Sequence, residues 1–198
     1  MALARQYAVM TGPTRRALAD ERGFSLPEIL TIVAIIGVLF GITIIAFQSA
    51  AATIQGDSNL RIVERQLKLA RDTAVAQRRS VEVQFVPPNT LFVIRHDLPA
   101  GTTLLHSAVL ENNTTFVRFP GVPDTPDSFG GAGAINLGGA ATVLFTSDGM
   151  FVDGGGTPVN GTIFVGQAGK NVTQRAVTIF GSTARIRTYR WNGSQWGS

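Results

Sequence analysis

The longest apolar run of the chain lies near its N-terminus. The nineteen residues from Ile29 to Phe47 contain no charged side chain. A helix of about 20 residues crosses the roughly 30 Å hydrocarbon core of a bilayer, so this run predicts a transmembrane helix. Arg15, Arg16 and Arg22 precede the run. Because basic residues stay on the cytoplasmic side of a membrane, we expect the N-terminus inside and the C-terminal portion across the membrane.

Beyond the span, the pattern becomes that of an amphipathic helix. Its apolar stripe consists of Leu60, Val63, Leu67, Ala70 and Ala74. This spacing is typical of a helix that packs one face against a core. Basic side chains fall off the stripe, namely Arg61, Arg65, Lys68 and Arg71. The stretch 56–59, Gly-Asp-Ser-Asn, interrupts the pattern and favours a kink or a break in the helix.

From Ser80 onward the apolar residues recur with a period of two. Val81, Val83 and Phe85 alternate with polar residues, and a turn at 87–90 leads into a second apolar stretch, which predicts a β-hairpin. Further strands are predicted at 115–119, 142–146, 162–165, 176–180 and 185–191. Residues 130–141 are predicted to form a flexible loop. A helix followed only by strands indicates an α+β fold.

Composition narrows the chemistry of the chain. The 198 residues include 22 Gly and no Cys, which excludes disulfides, thiolate zinc sites and a thiol nucleophile. The net charge of +4 is mild. Basic residues are nevertheless concentrated in two stretches, with six in residues 61–79 and five in residues 170–198. Without covalent links, the fold must be held by packing.

Signals for catalysis are weak. His96 and His106 are the only histidines, and their spacing is not that of a metal site. Ser147-Asp148-Gly149 suits a turn better than a nucleophile elbow, which has the pattern G-x-S-x-G. The Gly-rich stretches are not followed by Lys-Ser or Lys-Thr, so no nucleotide loop is indicated. We therefore expect no enzymatic activity, no cofactor, no metal and no small-molecule substrate.

A short motif joins the N-terminal leader to the apolar run. Residues 23–28 are Gly-Phe-Ser-Leu-Pro-Glu, and with the run after them they resemble the class III signal of type IV prepilins and type II secretion pseudopilins. The resemblance implies cleavage by a prepilin peptidase between Gly23 and Phe24, N-methylation of Phe24, and a role in assembly for Glu28. The alternative is a conventional secretory signal cut after the run, near residues 49–51, but it leaves Glu28 unexplained.

An acid at the edge of an apolar span needs a physical reason, because a carboxylate in mid-membrane costs about 2.5 to 3.5 kcal/mol. Cleavage after Gly23 would create a cationic Phe24 amine, and in a filament Glu28 could meet the amine of a neighbouring subunit. Charges about 4 Å apart attract by roughly 4 kcal/mol at an effective dielectric of 20, before desolvation is counted. The pair would then fix the register between subunits. The alternative is that the Glu28 side chain reaches the lipid interface.

Three other residues of the span have expected structural roles. Pro27 should cost little, because the first four N–H groups of a helix have no intrahelical acceptor. Gly37 and Gly41 form a small-xxx-small pair that suits close helix packing. A chain rich in Gly also produces such pairs by composition alone.

Three further stretches resemble the GspH/FimT family of minor pseudopilins and minor pilins. They are LKLARDTAVAQRRSVEVQF, LFTSDGMF and RAVTIFGSTARIRTYRW, which end at Phe85, Phe151 and Trp191. The resemblance implies a pilin-like fold, in which a long N-terminal helix, transmembrane in its first half, packs on a C-terminal antiparallel β domain. The expected divisions are a cytoplasmic leader that is removed (1–23), a transmembrane and filament-core helix (24–47), an amphipathic continuation (48–79) and a β-rich domain (80–198).

The function that this resemblance implies is that of a minor pseudopilin of a type II secretion system, assembled into a pseudopilus that supports protein export. The implied partners are the prepilin peptidase, other pilins or pseudopilins, the inner-membrane assembly platform, and the membrane before assembly. The protein would cross the bacterial inner membrane once, with its N-terminus in the cytoplasm and its C-terminal domain periplasmic or extracytoplasmic, and then enter the pseudopilus or pilus. The alternative is a FimT-like minor pilin of a type IV pilus that binds DNA for uptake.

The last predicted strand is the basis of that alternative. The candidate DNA-binding residues are Arg185, Arg187, Tyr189, Arg190 and Trp191. In an extended strand all of them except Arg190 share one face, where cations hold phosphates and aromatic rings stack on bases. Residues 184–187, Ala-Arg-Ile-Arg, resemble the Gly-Arg-x-Arg motif of FimT-like pilins that capture DNA, with Ala in place of Gly. The other interpretation is an ordinary edge strand whose charges prevent pairing.

Overall fold

The structure, a computed structural model, describes residues 23–198, apart from the side chains of residues 45, 46, 48 and 49. The leader predicted at 1–23 therefore lies outside the described residues, except for Gly23. The chain divides into two compact units with the boundary after Ile44, and each unit is described by itself. One 52-residue helix, α1 (Leu26–Gln77), contains residues of both units.

Eleven strands follow the helix in the described part of the chain. They are β1 (Val81–Val86), β2 (Thr90–His96), β3 (Thr102–Val109), β4 (Thr114–Phe116), β5 (Ile135–Asn136), β6 (Val143–Phe145), β7 (Phe151–Asp153), β8 (Gly161–Gln167), β9 (Lys170–Ile179), β10 (Ile186–Trp191) and β11 (Trp196–Gly197). Every pairing between them is antiparallel. The predicted α+β fold, a long helix with an antiparallel β domain, is confirmed.

The first sheet has five strands in the order β3-β2-β1-β6-β7. The predicted hairpin is its centre, since β1 and β2 pair from Val81 opposite Arg95 to Val86 opposite Thr90. The turn predicted at Ser147-Asp148-Gly149 joins β6 to β7, and the Gly149 N–H donates to the Thr146 carbonyl at 2.9 Å. Gly149 has a φ of +78°, a conformation that glycine adopts without steric cost.

The second sheet has the order β11-β10-β9-β8-β4, and β5 also pairs with β8. Strand β8 is buried along its whole length. Because alternate residues of a strand point to opposite faces, Ile163 and Val165 contribute to the main core, whereas Phe164 packs on the other face with Ala176. The second sheet is therefore covered on both sides.

The main core lies where the inner faces of both sheets meet the part of α1 after residue 45. The predicted apolar stripe of the helix is buried there, since Leu60, Val63, Leu67, Ala70 and Ala74 are at most 3% exposed. Val83 and Val93 of the first sheet and Ile163 and Val177 of the second belong to the same cluster. Burial of this stripe confirms the predicted amphipathic helix.

The interruption expected at 56–59 is absent, because α1 is continuous through these residues. Gly56 lies close to β9, where an added Cβ would be 3.1 Å from the Thr173 carbonyl oxygen. Asn59 is fully buried, and its amide donates to Thr114 Oγ1 at 2.9 Å and accepts from the Glu111 N–H at 2.7 Å. These residues therefore bring the helix against the sheets instead of breaking it.

The outer face of the second sheet is covered by residues 117–131, which we call the strap. The side chain of Gln174 in β9 fixes its beginning, since Gln174 Oε1 accepts from the Phe119 N–H and Nε2 donates to the Val117 carbonyl, both at 2.8 Å. Phe119 and Val122 of the strap pack with Trp191 of β10. The strap thus closes a second, smaller apolar cluster.

Some elements differ from those predicted. Strands β3, β5, β7 and β11 were not expected, and β9 begins six residues earlier than predicted, at Lys170. The loop expected at 130–141 contains β5, and Ile135 packs against the main core. Short strands of two or three residues carry too little alternation to predict, because their place is decided by the strand beside them.

Candidate functional site

The first unit presents a long apolar surface. Residues Leu26–Ile44 of α1 are long and apolar enough to cross a membrane by length and composition, and none of this stretch is buried. Its large hydrophobic side chains are exposed all around the helix, from Leu26 at 75% to Phe40 at 66% and Ile42 at 64%. Exposed apolar surface on this scale marks a site of contact with lipid or with another protein.

The predicted processing site lies at the beginning of this helix. Gly23 and Phe24 precede the first helical residue, Leu26, and both are exposed, Phe24 at 71%. The Ser25 carbonyl accepts the N–H groups of Glu28 at 3.0 Å and Ile29 at 3.1 Å, which makes Ser25 the residue that caps the helix. The bond between Gly23 and Phe24 is therefore outside regular structure.

Two residues in the first turn suit this start of the helix. Pro27 is its second residue, where an intrahelical N–H bond is not made in any case. The carboxylate of Glu28 lies in the first turn and is stabilised there by the positive end of the helix dipole. Its side chain is exposed and makes no hydrogen bond or ion pair with another residue in 23–198. The predicted partner of Glu28, an amine of another subunit, stays a prediction.

The glycines and threonines of the span shape the surface of the helix. An added Cβ at Gly37 or at Gly41 would meet nothing within 4 Å, so the face that they share is open and its predicted helix partner stays untested. Thr31 and Thr43 donate their hydroxyl protons to the carbonyls four residues earlier, Pro27 and Leu39, both at 2.8 Å. Neither hydroxyl is left with an unpaired donor.

The second predicted site, the basic strand at 185–191, differs from expectation in its aromatic residues. Arg187, Tyr189 and Trp191 alternate along one face of β10, but Tyr189 is 6% exposed and Trp191 is 8% exposed. Both lie beneath the strap, and Trp191 packs on Trp196 with ring centroids 5.4 Å apart. Bases could not stack on these rings as they stand.

A strap residue, Asp127, binds the polar groups of the same face. Its carboxylate accepts hydrogen bonds from Arg187 at 2.7 Å, Tyr189 at 2.9 Å and Thr178 at 2.6 Å. Burial disfavours the ionised carboxylate, but these three donors outweigh burial and hold the pKa of Asp127 below its usual value of 3.8. Burial also raises the pKa of Tyr189, which stays a neutral donor.

The remaining basic residues of the predicted site are separated from this face. Arg190 points to the opposite side of β10, and its Nε lies 3.2 Å from Asp57 Oδ1 of α1. Arg185 precedes the strand, is exposed, and its side chain makes no hydrogen bond or ion pair with another residue of the described range. An open groove of about 590 Å³ has Arg185, Arg187 and Trp196 in its wall. The five predicted residues therefore do not form one continuous surface.

Arg190 shares Asp57 with a buried arginine that the sequence did not single out. Arg175 is 1% exposed, and its Nε donates to Asp57 Oδ1 at 2.7 Å. Its other nitrogens donate to the carbonyls of Val172 at 2.8 Å, Gln174 at 2.9 Å and Thr53 at 3.3 Å. A buried charge needs such partners, so this pair ties α1 to β9. The sequence feature that could have indicated this ion pair is Asp57, an acid that directly follows Gly56 in a helical pattern.

Evidence for catalysis is limited to isolated contacts. His96 Nε2 lies 2.9 Å from Glu82 Oε2, and His106 is exposed on β3. Within residues 23–198 there is no group of three His, Cys, Asp or Glu side chains that could hold a metal ion.

The chain is similar to solved structures of minor pilin-like proteins. The minor pseudopilin EpsH from the type 2 secretion system of Vibrio cholerae aligns with a TM-score of 0.44 and 14% identity, over 70% of this chain and 96% of that chain. A second structure of EpsH aligns with a TM-score of 0.42 and 15% identity, over 69% and 92% of the two chains. The type IV minor pilin FimU of Pseudomonas aeruginosa gives 0.45 and 18%, over 76% and 96%.

The sequence matches no protein-family model and no curated protein.

Proposed function

We propose that this protein is a minor pseudopilin of a type II secretion system, held in the bacterial inner membrane by the Leu26–Ile44 segment before it enters a pseudopilus. One observation carries the proposal. An apolar stretch of 19 residues, none of it buried, begins with an acid in its first turn and belongs to a helix whose later residues pack on antiparallel sheets. The same surface can be covered first by lipid and later by the helices of neighbouring subunits.

The beginning of the helix supports processing by a prepilin peptidase. The Gly23–Phe24 bond lies in an exposed, non-helical segment, so a protease can bind it in extended form. Cleavage would leave the Phe24 amine next to the helix and three residues before Pro27. Because Glu28 has no partner among residues 23–198, its carboxylate is available to the amine of an adjacent subunit, with an attraction of about 4 kcal/mol before desolvation.

The first experiment determines the mature N-terminus by mass spectrometry. The full chain is expressed in bacteria with and without a prepilin peptidase, and membranes are analysed in both cases. We expect a chain that begins at N-methylated Phe24 only when the peptidase is present. An N-terminus near residues 49–51 would mean a conventional secretory signal and would contradict the proposal.

A second experiment tests the assembly role of Glu28. Glu28→Ala should insert into membranes and be processed normally, because the change makes the segment more apolar. Its incorporation into sheared filaments should fall about tenfold, since a neighbouring amine loses its partner. Thr31→Ala, one turn further along the helix, is the matched control and should be incorporated normally. Normal incorporation of Glu28→Ala would remove the assigned role.

The alternative function, a FimT-like minor pilin that binds DNA, is supported by the groove beside β10, because Arg185 is exposed there and Arg187 is 37% exposed at its side chain. Phosphate would have to compete with Asp127 for Arg187. In this alternative, Arg185→Ala weakens salt-dependent binding of labelled DNA to the full chain in detergent, and Asp127→Asn strengthens it. Binding that is unchanged in both variants, or absent at low salt, would end the alternative.

A further inference from the structure

Strand β3 (Thr102–Val109) is an edge of the first sheet and pairs on one side only, with β2. In an antiparallel ladder, alternate residues of an edge strand direct their backbone N–H and C=O groups away from the sheet. The eight residues include no Lys, Arg, Asp, Glu or Pro, which are the residues that normally prevent an edge from pairing. Leu104 and Val109 are 56% and 54% exposed. The edge therefore has the composition of a paired strand.

A groove beside this edge is lined by a glutamine, Gln66, whose amide oxygen is buried without a hydrogen-bond donor in residues 23–198. The groove has a volume of about 250 Å³, and its walls are formed by Ile62, Arg65 and Gln66 of α1 and by Ala108, Val109 and Glu111. The Oε1 atom of Gln66 is buried but accepts no hydrogen bond from the described residues. A buried acceptor without a donor is unfavourable. A strand added to β3 would lie beside the Ala108 and Val109 wall of this groove.

We propose that the occupant of the edge is β3 of a second copy of this chain, paired antiparallel about a two-fold axis. The five strands of each copy then form one continuous sheet across the dimer. Two identical strands without Lys, Arg, Asp or Glu do not repel each other strongly, and each covers the exposed Val109 of the other. This inference does not depend on the proposed function.

Other edges in the described part of the chain fit a strand partner less well. β7 has three residues and ends in Asp153, β4 has three residues, and β11 has two. β3 has eight residues, and the four that follow its irregularity form an unbroken run, longer than any of these three strands. A copy of this chain therefore offers its own β3 as the matching strand.

An irregularity in β3 indicates which residues meet at the axis. His106 lies opposite Val93 and Leu104 lies opposite Ile94, so Leu105 is the extra residue of a β-bulge. The regular stretch that a partner can pair with is thus 106–109, on the C-terminal side of the bulge. We expect Ser107 to lie close to its own counterpart and Thr102, before the bulge, to lie far from its counterpart.

The test uses single cysteines, because the chain contains none of its own. Ser107→Cys, in the full chain in detergent micelles, should form a disulfide-linked dimer on mild oxidation, since Cα atoms of antiparallel pairs are about 4.5 to 5.5 Å apart. Its yield should exceed that of Thr102→Cys on the same strand, and of Lys68→Cys on α1, by about tenfold. Equal yields in the three variants would overturn the proposal.

A charge at the edge provides an independent measurement. Val109→Lys should raise the dissociation constant of the dimer about tenfold in sedimentation experiments, while circular dichroism confirms that the variant is folded. Gly37→Leu separates the two ways in which copies could associate. If Gly37→Leu dissociates the dimer and Val109→Lys does not, the dimer forms through the apolar helix and the β3 interface is wrong. A wild-type chain that sediments as a monomer would also overturn it.

Discussion

Two stretches of one helix use apolar side chains in opposite ways. Between Leu26 and Ile44 the apolar residues surround the helix, and none of the stretch is buried within the chain. Between Leu60 and Ala74 the apolar residues form a single stripe, at most 3% exposed, that packs on both sheets. The apolar surface of the first stretch is left uncovered by the chain itself. The apolar surface of the second stretch is buried against the β domain and stabilises its fold.

This difference makes a simple rule for substitutions. A side chain of the second stretch contributes to the free energy of unfolding through its contacts inside the chain. A side chain of the first stretch contributes little to the stability of the β domain. The two tryptophans of the chain, Trp191 and Trp196, both lie in the β domain, so their fluorescence reports its unfolding in detergent.

The largest contrast should come from two leucines. Leu67→Ala removes a side chain that is 0% exposed and should lower the free energy of unfolding by about 3 to 5 kcal/mol. Leu39→Ala changes a residue that is 59% exposed and should change it by less than about 0.5 kcal/mol. Denaturant titrations of both variants provide the measurement. If both variants lose a similar amount of unfolding free energy, the two stretches of the helix do not differ in their contribution to the stability of the β domain.

The next effect concerns the polar contact between the helix and β9. Asp57→Asn removes the negative charge that pairs with the buried Arg175, and should lower the free energy of unfolding by about 2 to 3 kcal/mol. Asp72→Asn, at an exposed position of the same helix, is the matched control and should cost less than about 0.5 kcal/mol. If the Asp57→Asn variant is as stable as the control, the backbone carbonyls alone are sufficient to stabilise the buried charge of Arg175.

A third prediction extends the rule from the helix to the strap. Because the folded pKa of Asp127 lies below 3.8, its ionised form contributes stability above that pH, and the contribution is lost as the pH falls through the folded pKa. Asp127→Asn should therefore be less stable than wild type by about 1 to 2 kcal/mol near pH 7. The difference should shrink as the pH falls below 3.8 and through the lowered pKa of the folded state.

The control for the strap is Asp148→Asn, in an exposed turn. Its stability should follow that of the wild type at every pH. If Asp127→Asn also follows the wild type down to low pH, the hydrogen bonds to Thr178, Arg187 and Tyr189 do not hold the strap in solution.

The smallest effect compares two glycines of α1. Ala is favoured over Gly in a helix interior by about 1 kcal/mol, yet a Cβ at Gly56 would be 3.1 Å from the Thr173 carbonyl oxygen. Since Arg175 is fully buried beside it, the carbonyl has little room to move, and Gly56→Ala should lower the free energy of unfolding by about 1 kcal/mol. Gly41→Ala meets nothing within 4 Å and should leave it unchanged. A stabilised Gly56→Ala would contradict the close approach.

Local patterns made part of this fold predictable from sequence. The stripe from Leu60 to Ala74 needs only the period of a helix, and the β1–β2 hairpin needs only alternation around a proline turn. The motif at 23–28 is also local; Ser25 within it caps the helix, and cleavage between Gly23 and Phe24 stays a prediction. β3 was missed because Thr-Thr-Leu-Leu-His-Ser-Ala-Val does not alternate, and a bulge shifts its register at Leu105.

Two features of β10 could not be predicted from the sequence, because they depend on contacts between distant residues and on backbone conformation. Asp127 and Tyr189 are 62 residues apart, and nothing near either of them indicates that a strap covers the aromatic rings of β10. The limits of the strand itself depend on a backbone conformation. Ala184 has a φ of +44° and is fully buried, so the extended strand begins after it, at Ile186, and Arg185 is left outside.

The threonine hydroxyls of the apolar helix affect how polar its surface is. The hydroxyl protons of Thr31 and Thr43 are bonded to the carbonyls of Pro27 and Leu39. Because these donors are already satisfied, the two side chains need no hydrogen bond from an apolar solvent and expose mainly their methyl groups to it. Scales that assign threonine the hydration of a free alcohol therefore underrate the affinity of this segment for oil. In that medium, each of the two resembles a valine, with the bonded hydroxyl in place of one methyl group.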